Sequence, residues 1–206
     1  IGQLHRRLGA APSNFPTHLA PPDSELAQEL TKDPYFFDFL TLTARTRERD
    51  VERALMDRLQ ETLLEFGRGF AFVGRQLHFD VDGSDYYADL VLFNVEQLRY
   101  VVVELKIGQF EPEHVGQLGF YVAVVDDRLR RDTHASTVGF LLCATRNDTV
   151  VRYALANTTA PMAVAGYTSS AVDPTQLHLP QPAEIEALLA TPIDGDSGTT
   201  FADQLP

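Results

Sequence analysis

The sequence predicts a mixed α/β domain, a sheet of antiparallel strands extended by a parallel one and covered by helices. Three observations carry this expectation. Residues 47–66 repeat apolar side chains at helical spacing. Three strand-like runs then follow in quick succession, at 70–81, 86–94 and 99–107. A second helical stretch, 112–130, separates these from a fourth run at 137–144. Short links suit antiparallel neighbours, whereas a link of helix length suits a parallel crossover.

Each element has its own signal. Residues 1–22 read as loop, because Pro12, Pro16, Pro21 and Pro22 interrupt any period. Asp23 or Ser24 can cap a short helix to about Thr31. The aromatic group Tyr35, Phe36, Phe37 and Phe39 reads as a lid on the main core. In the helix over 47–66, Val51, Leu55, Leu59 and Leu63 recur at i+4, Ala54 and Leu64 widen the stripe, and Gly67 and Gly69 can end it. Asp82-Gly83 marks a hairpin turn after the first strand. The unbroken centre of 99–107 is typical of a strand buried on both faces. Pro112 suits the first turn of the next helix, whose apolar face is Val115, Leu118, Tyr121 or Val122, and Val125. A short helix around 148–156, an edge strand at 162–167 and a weak helix at 183–190 complete the order, with disorder expected over 191–206. The resulting division is an N-terminal extension, 1–43, a central domain, 44–168, and an acidic, Pro-rich tail, 169–206.

Composition bounds the function. The chain has 206 residues with a net charge of −12, which argues against a nonspecific nucleic-acid coat. The charge is uneven: the last basic residue is Arg152, and six acids follow it. Of 17 basic residues only two are lysines, Lys32 and Lys106. Cys143 is the single cysteine and sits in an apolar run, so it reads as a buried thiol in a reducing, cytoplasmic setting. No run is long enough for a membrane helix and no signal-peptide pattern appears. The first residue is Ile1, so a region upstream of this segment is expected.

Three charged residues interrupt strands that should be apolar: Asp89, Glu104 and Lys106. A charge in a buried strand costs several kcal/mol, on the order of 3, unless it is paired or binds a metal. Glu104 and Lys106 share a face by the two-residue strand period. If 86–94 and 99–107 pair as a hairpin, Asp89 joins them. Two carboxylates at a sheet end form a hard-cation site, for Mg²⁺ or alternatively Mn²⁺, to which the Leu105 carbonyl could add a ligand. A neighbouring lysine can hold or deprotonate a water, or stabilise charge on a phosphate. This layout suits metal-dependent phosphodiester hydrolysis. The bland alternative is a solvent-facing ion pair on an edge strand. Arginines 45, 47, 49, 53 and 58 likewise read either as a solvated helix face paired with nearby acids, or as a strip that tracks phosphates. Arg75-Gln76 is a polar break in the first strand, and Arg75 is a candidate for the substrate groove.

Several strings resemble the YhcG family of PDDEXK nucleases, within the PD-(D/E)xK superfamily. They are Lys32–Leu40 (KDPYFFDFL), Phe70–Gln76 (FAFVGRQ), Asp85–Leu90 (DYYADL), Val103–Gly108 (VELKIG) and Gly116-Gln117 through Tyr121. The likeness runs from roughly residue 4 to residue 167. It implies a restriction-endonuclease-like core: helix, three antiparallel strands, helix, parallel strand. It implies metal ligation by Asp89 and Glu104, a catalytic Lys106, and Gln117 with Tyr121 one turn later flanking the site. It further implies that an early glutamate of the first core helix completes the metal shell, Glu52 ahead of Glu61 and then Glu48. Arg53, Arg75 and Tyr121 are the nucleic-acid-binding candidates. DNA is the expected substrate, with RNA as the alternative, and relatives of this fold often act as homodimers. Two positions depart from the family pattern: Ala88 stands where a proline is usual, and His114 where an aromatic is expected. The family's upstream helical region is absent from this segment. The expectation is thus a Mg²⁺-dependent DNA endonuclease of genome maintenance or defence. The rivals are a binding module of a larger complex with weak or no cleavage, and an α/β domain whose strand charges pair at a dimer interface.

Overall fold

The computed structural model describes residues 11–40 and 47–169. In chain order the elements are α1 (Phe15–His18), α2 (Pro21–Glu29), β1 (Tyr35–Phe37), α3 (Glu48–Asp57), α4 (Leu59–Phe66), β2 (Phe70–Val81), β3 (Ser84–Asn94), β4 (Arg99–Gln109), α5 (Pro112–Arg128), β5 (Val138–Thr145), α6 (Asp148–Ala156) and β6 (Met162–Ser169). They build one six-stranded sheet in the order β1-β6-β5-β4-β3-β2. Strands β2, β3 and β4 form an antiparallel meander, while β5, β6 and β1 add in parallel beyond β4. The expected core order of helix, three antiparallel strands, helix and parallel strand is therefore present. No helix among the described residues is long and apolar enough to cross a membrane.

The meander follows from its turns. Asp82 and Gly83 both take positive φ, 53° and 78°, which matches the right-handed twist of a two-residue hairpin. The β3–β4 turn is held by Asn94, whose Oδ1 accepts the Glu96 and Gln97 N–H groups at 3.1 and 2.8 Å. The strands bury both faces because strand parity divides them. Val101, Val103 and Leu105 pack with Val51, Leu55 and Phe66 on one side. Val102, Leu141, Cys143 and Val164 pack with α5 residues Val115, Leu118, Val122 and Val125 on the other. Gly139 lets α5 lie directly on β5, since a Cβ there would come within 2.9 Å of Leu118 and Val122. Cys143 is buried, and burial pushes its thiol up to about 11. That is the inert thiol expected.

Four sequence expectations change. The helix expected over 47–66 is two helices, broken at Arg58, whose φ and ψ are −117° and 40°. The break re-aims the second half. Thr62 and Phe66 turn inward and Leu64 turns out, at 69% exposure. Thr62 donates its hydroxyl to the Leu55 carbonyl at 2.8 Å across the joint. Phe66 meets Tyr35, Phe37 and Phe70 with ring centroids 5.1, 6.3 and 5.7 Å apart. Second, the expected aromatic lid is partly a strand, since β1 pairs with β6. Third, β6 is consequently interior rather than an edge. Fourth, the N-terminal stretch expected as loop holds α1, and α2 begins at Pro21 rather than at Asp23 or Ser24. The weak helix at 183–190 and the tail lie outside the described residues.

One buried charge ties α2 to the far end of β4. Arg99 is fully buried, and its guanidinium pairs with Asp23 while Nε and Nη1 have no hydrogen-bond partner among the described residues. Removing Asp23 strands this cation. Asp23→Ala is expected to destabilise the domain by about 3 kcal/mol, and Asp23→Ala with Arg99→Met to recover most of that loss. Urea midpoints of the single and double variants measure it, with a single variant as stable as wild type contradicting the assignment.

Candidate active site

The site forms where β3 and β4 stop pairing. Their ladder runs from Asn94–Arg99 to Leu90–Val103. At the next step the Asp89 carboxylate takes over, and its Oδ2 accepts the Leu105 N–H at 3.0 Å. Glu104 is 1% exposed and Lys106 is 9% exposed. Lys106 Nζ donates to Glu104 Oε1 at 3.0 Å. An irregularity in the β4–β5 register begins directly after Lys106. Such bulges re-aim side chains at strand ends.

Helix α3 supplies two more carboxylates. Glu52 is 7% exposed, and its Oε2 accepts the Gln76 amide at 2.8 Å. The same Gln76 Nε2 donates to Asp89 Oδ1 at 3.0 Å. Glu48 Oε2 lies 3.6 Å from Lys106 Nζ. Glu48 and Glu52 are four residues apart, so they sit on one helix face one turn apart. Val51 and Leu55 anchor that helix in the core and hold both glutamates at the sheet end. Arg75 borders the same cleft with Glu52, Leu55, Met56, Asp89, Leu90 and Leu105.

The electrostatics follow from crowding. Burial, reinforced by the Asp89 charge, pushes Glu104 up to about 7. Burial raises Asp89 as well, partly offset by the Leu105 N–H and by Lys106. Burial raises Glu52 too, with Asp89 adding to it and Gln76 opposing. Lys106 is pushed down by burial, but Glu104, Glu48 and Asp89 outweigh this and hold it above the usual lysine value. Glu104 Oε2 is buried and accepts no hydrogen bond from the described residues. An orphaned buried carboxylate oxygen beside two further carboxylates is a donor set that a hard divalent cation would satisfy. The donor chemistry suits such an ion, although among the described residues only Glu111, Glu113 and His114 bring three candidate ligand atoms within 4.8 Å of one another.

The predicted residues divide by position. Asp89, Glu104, Lys106 and Glu52 come together. Leu105 buries its side chain in the core while its N–H serves Asp89. Of the alternative glutamates, Glu48 reaches the site, whereas Glu61 pairs with Arg58 on the surface at 2.8 Å. Arg53 is exposed on α3. Gln117 is exposed on α5. Tyr121, a nucleic-acid-binding candidate from the sequence, is 7% exposed and belongs to the apolar layer under α5, so its ring face is not open to a base. His114 is half-buried and accepts the Glu111 N–H at 3.2 Å, so it closes the first turn of α5. Burial and then Lys106 lower its basicity. Its ligand atoms also gather with Glu111 and Glu113 in a solvent-facing group. Sequence reasoning passed over Gln76 and ranked Glu48 low. The available signals were the polar break at Arg75-Gln76 and the four-residue spacing of the two glutamates.

A mixed sheet with an acidic end, a buried Glu-x-Lys strand and glutamates from the preceding helix is the layout of a PD-(D/E)xK domain. The family model described as YhcG PDDEXK nuclease domain matches residues 28–185, and the chain belongs to that family. A curated relative, "Putative nuclease YhcG" of Escherichia coli (strain K12), is 32% identical over 140 residues, which is 68% of this chain and 36% of that protein. The match thus spans little more than a third of the relative's own length. Among solved structures, a repair endonuclease from Pyrococcus abyssi aligns with a TM-score of 0.38 at 12% identity, over 63% of this chain and 49% of that one. EndoMS, in a structure titled as its dsDNA2 complex, aligns with a TM-score of 0.40 at 14% identity, over 64% and 47%.

The raised carboxylates set a pH dependence. Glu104 binds its proton more tightly in the folded chain than at its ordinary value of 4.5. Between that value and about 7 the folded state therefore holds more protons than the unfolded state, and stability falls as pH rises through this window. In metal-free buffer, Glu104→Gln is expected to be more stable than wild type at pH 8 by on the order of 2 kcal/mol, with the gap closing below pH ~5. Urea unfolding at the two pH values tests this; a gap independent of pH would contradict it.

Proposed function

We propose that this chain is a Mg²⁺-dependent nuclease domain that hydrolyses phosphodiester bonds within DNA, with Mn²⁺ as a substitute ion. The observation that supports it most is the placement of Glu104 and Asp89 beside Lys106, with Glu52 linked to Asp89 through Gln76 and Glu104 Oε2 buried without a hydrogen-bond partner among the described residues. In this reading Asp89, Glu104 and Glu52 hold the ion, with the Leu105 carbonyl as a further ligand. The ion, when bound, supplies a more acidic water and neutralises charge on the phosphate. Lys106 holds the attacking water and can take its proton once the carboxylates around it are engaged elsewhere. Gln117 meets the substrate from the exposed side of α5. Arg75, at the cleft, and Arg53, on α3, contact the phosphate backbone.

The wider assignment is part of the same proposal. The nuclease domain spans 44–168, preceded by an extension and followed by an acidic tail. The protein acts as a homodimer, which places two sites on two strands, in cytoplasmic genome maintenance or defence. Substrate selection rests on the arginine surface and on a region or partner beyond this chain, since the acidic balance gives no general attraction to DNA.

Plasmid cleavage with Mg²⁺ or Mn²⁺ tests the reading. Lys106→Ala is expected to lower the rate about 10³-fold, and Asp89→Asn and Glu104→Gln to lower it at least as far. Equal rates in Lys106→Ala and wild type would overturn the role of Lys106. Mg²⁺ should also raise the melting temperature in a concentration-dependent way that Glu104→Gln removes. A chain that binds DNA without cleavage, and whose melting ignores Mg²⁺, would instead be a binding module.

A further inference from the structure

We propose that Gln76 is a positioning residue that holds Glu52 and Asp89 together so that they receive a divalent cation as a ready-made pair. The inference rests on the proposed metal site and concerns a residue to which that proposal gives no role. One atom carries it. Gln76 Nε2 lies 2.8 Å from Glu52 Oε2 and 3.0 Å from Asp89 Oδ1. The two carboxylates come from different elements, α3 and β3, and carry like charge, so they separate unless something spans them. A side-chain amide has two N–H groups on one nitrogen, which suits it to bridge two acceptors. Asp89 is then fixed at both oxygens, by Gln76 on Oδ1 and by the Leu105 N–H on Oδ2. Each oxygen keeps a further lone pair for an ion.

The backbone supplies an independent reason. Gln76 has φ of +46° within β2, a left-handed conformation that costs energy for any residue with a Cβ. Glycine would relieve that cost, and asparagine adopts this region readily. Glutamine offers neither advantage, but its side chain reaches both carboxylates. What the strained position gains is therefore the amide at its tip. Holding ligands in place before the ion arrives raises affinity, and loss of such a supporting contact typically costs about 10- to 100-fold.

The test is Mn²⁺ binding by calorimetry on the whole chain, beside melting temperature in chelator. Gln76→Asn keeps an amide and suits the backbone but is one methylene too short. Gln76→Gly relieves the backbone and removes the amide. Both are expected to melt at or above the wild-type temperature without metal, and to bind Mn²⁺ at least about tenfold more weakly. A merely structural role would lower the melting temperature and leave affinity unchanged. Binding within twofold of wild type in both variants would overturn the role of Gln76 and leave the metal site standing. A wild type that binds no Mn²⁺ at all would overturn both.

Discussion

Like charges gathered away from water are the constraint on which the rest of this structure depends. Glu48, Asp89 and Glu104 gather around Lys106 at one sheet end, and Glu52 joins them through Gln76, which bridges it to Asp89. Burial raises Glu52, Asp89 and Glu104, and the Glu48 charge adds to the cost at all three. The fold answers with specific donors: the Lys106 ammonium, the Gln76 amide and the Leu105 N–H. It also answers with a proton, since Glu104 titrates near neutrality. What remains unanswered is one buried oxygen of Glu104. Carboxylates crowded in this way are of the chemical type that a hard divalent cation takes, and the family to which the chain belongs is a nuclease family.

The apolar frame is built to hold that arrangement. Burial on both faces keeps β4 in place, and Gly139 brings α5 against the sheet. Helix α3 ends where the chain breaks at Arg58, and Phe66 anchors the end of α4 among Tyr35, Phe37 and Phe70. The result is a helix anchored by Val51 and Leu55 whose glutamate face overlooks the frayed end of the β3–β4 ladder. Packing energy from the interior thus holds the charges together against their own repulsion.

Much of this was legible in the chain. The order of core elements follows from the spacing of apolar runs, since each run is long and its period unambiguous. Asp89, Glu104 and Lys106 stand out because charges are improbable in such strands, and strand parity alone places two of them on one face. Lysine scarcity points the same way: Lys106 is half of the chain's lysine content and lies at the centre of the cluster. The break in the first core helix was not legible. It contains no proline or glycine, and the contacts that accompany it, of Phe66 with Tyr35 and Phe37, join residues about 30 positions apart.

Sequence alone, then, determined the core order of helix, three antiparallel strands, helix and parallel strand and the identity of its misplaced charges, because those depend on local period and on the cost of burying an ion. Tertiary structure decided which glutamates arrive and what steadies them. Glu61 has the same chemistry as Glu48 and Glu52 but pairs with Arg58 at the surface. Gln76 reads in the chain as one polar residue in a strand break; only the approach of α3 to β3 turns its amide into the link between two carboxylates. Local pattern records which residues are unusual, whereas convergence from separate elements depends on packing angles that no short stretch of sequence contains.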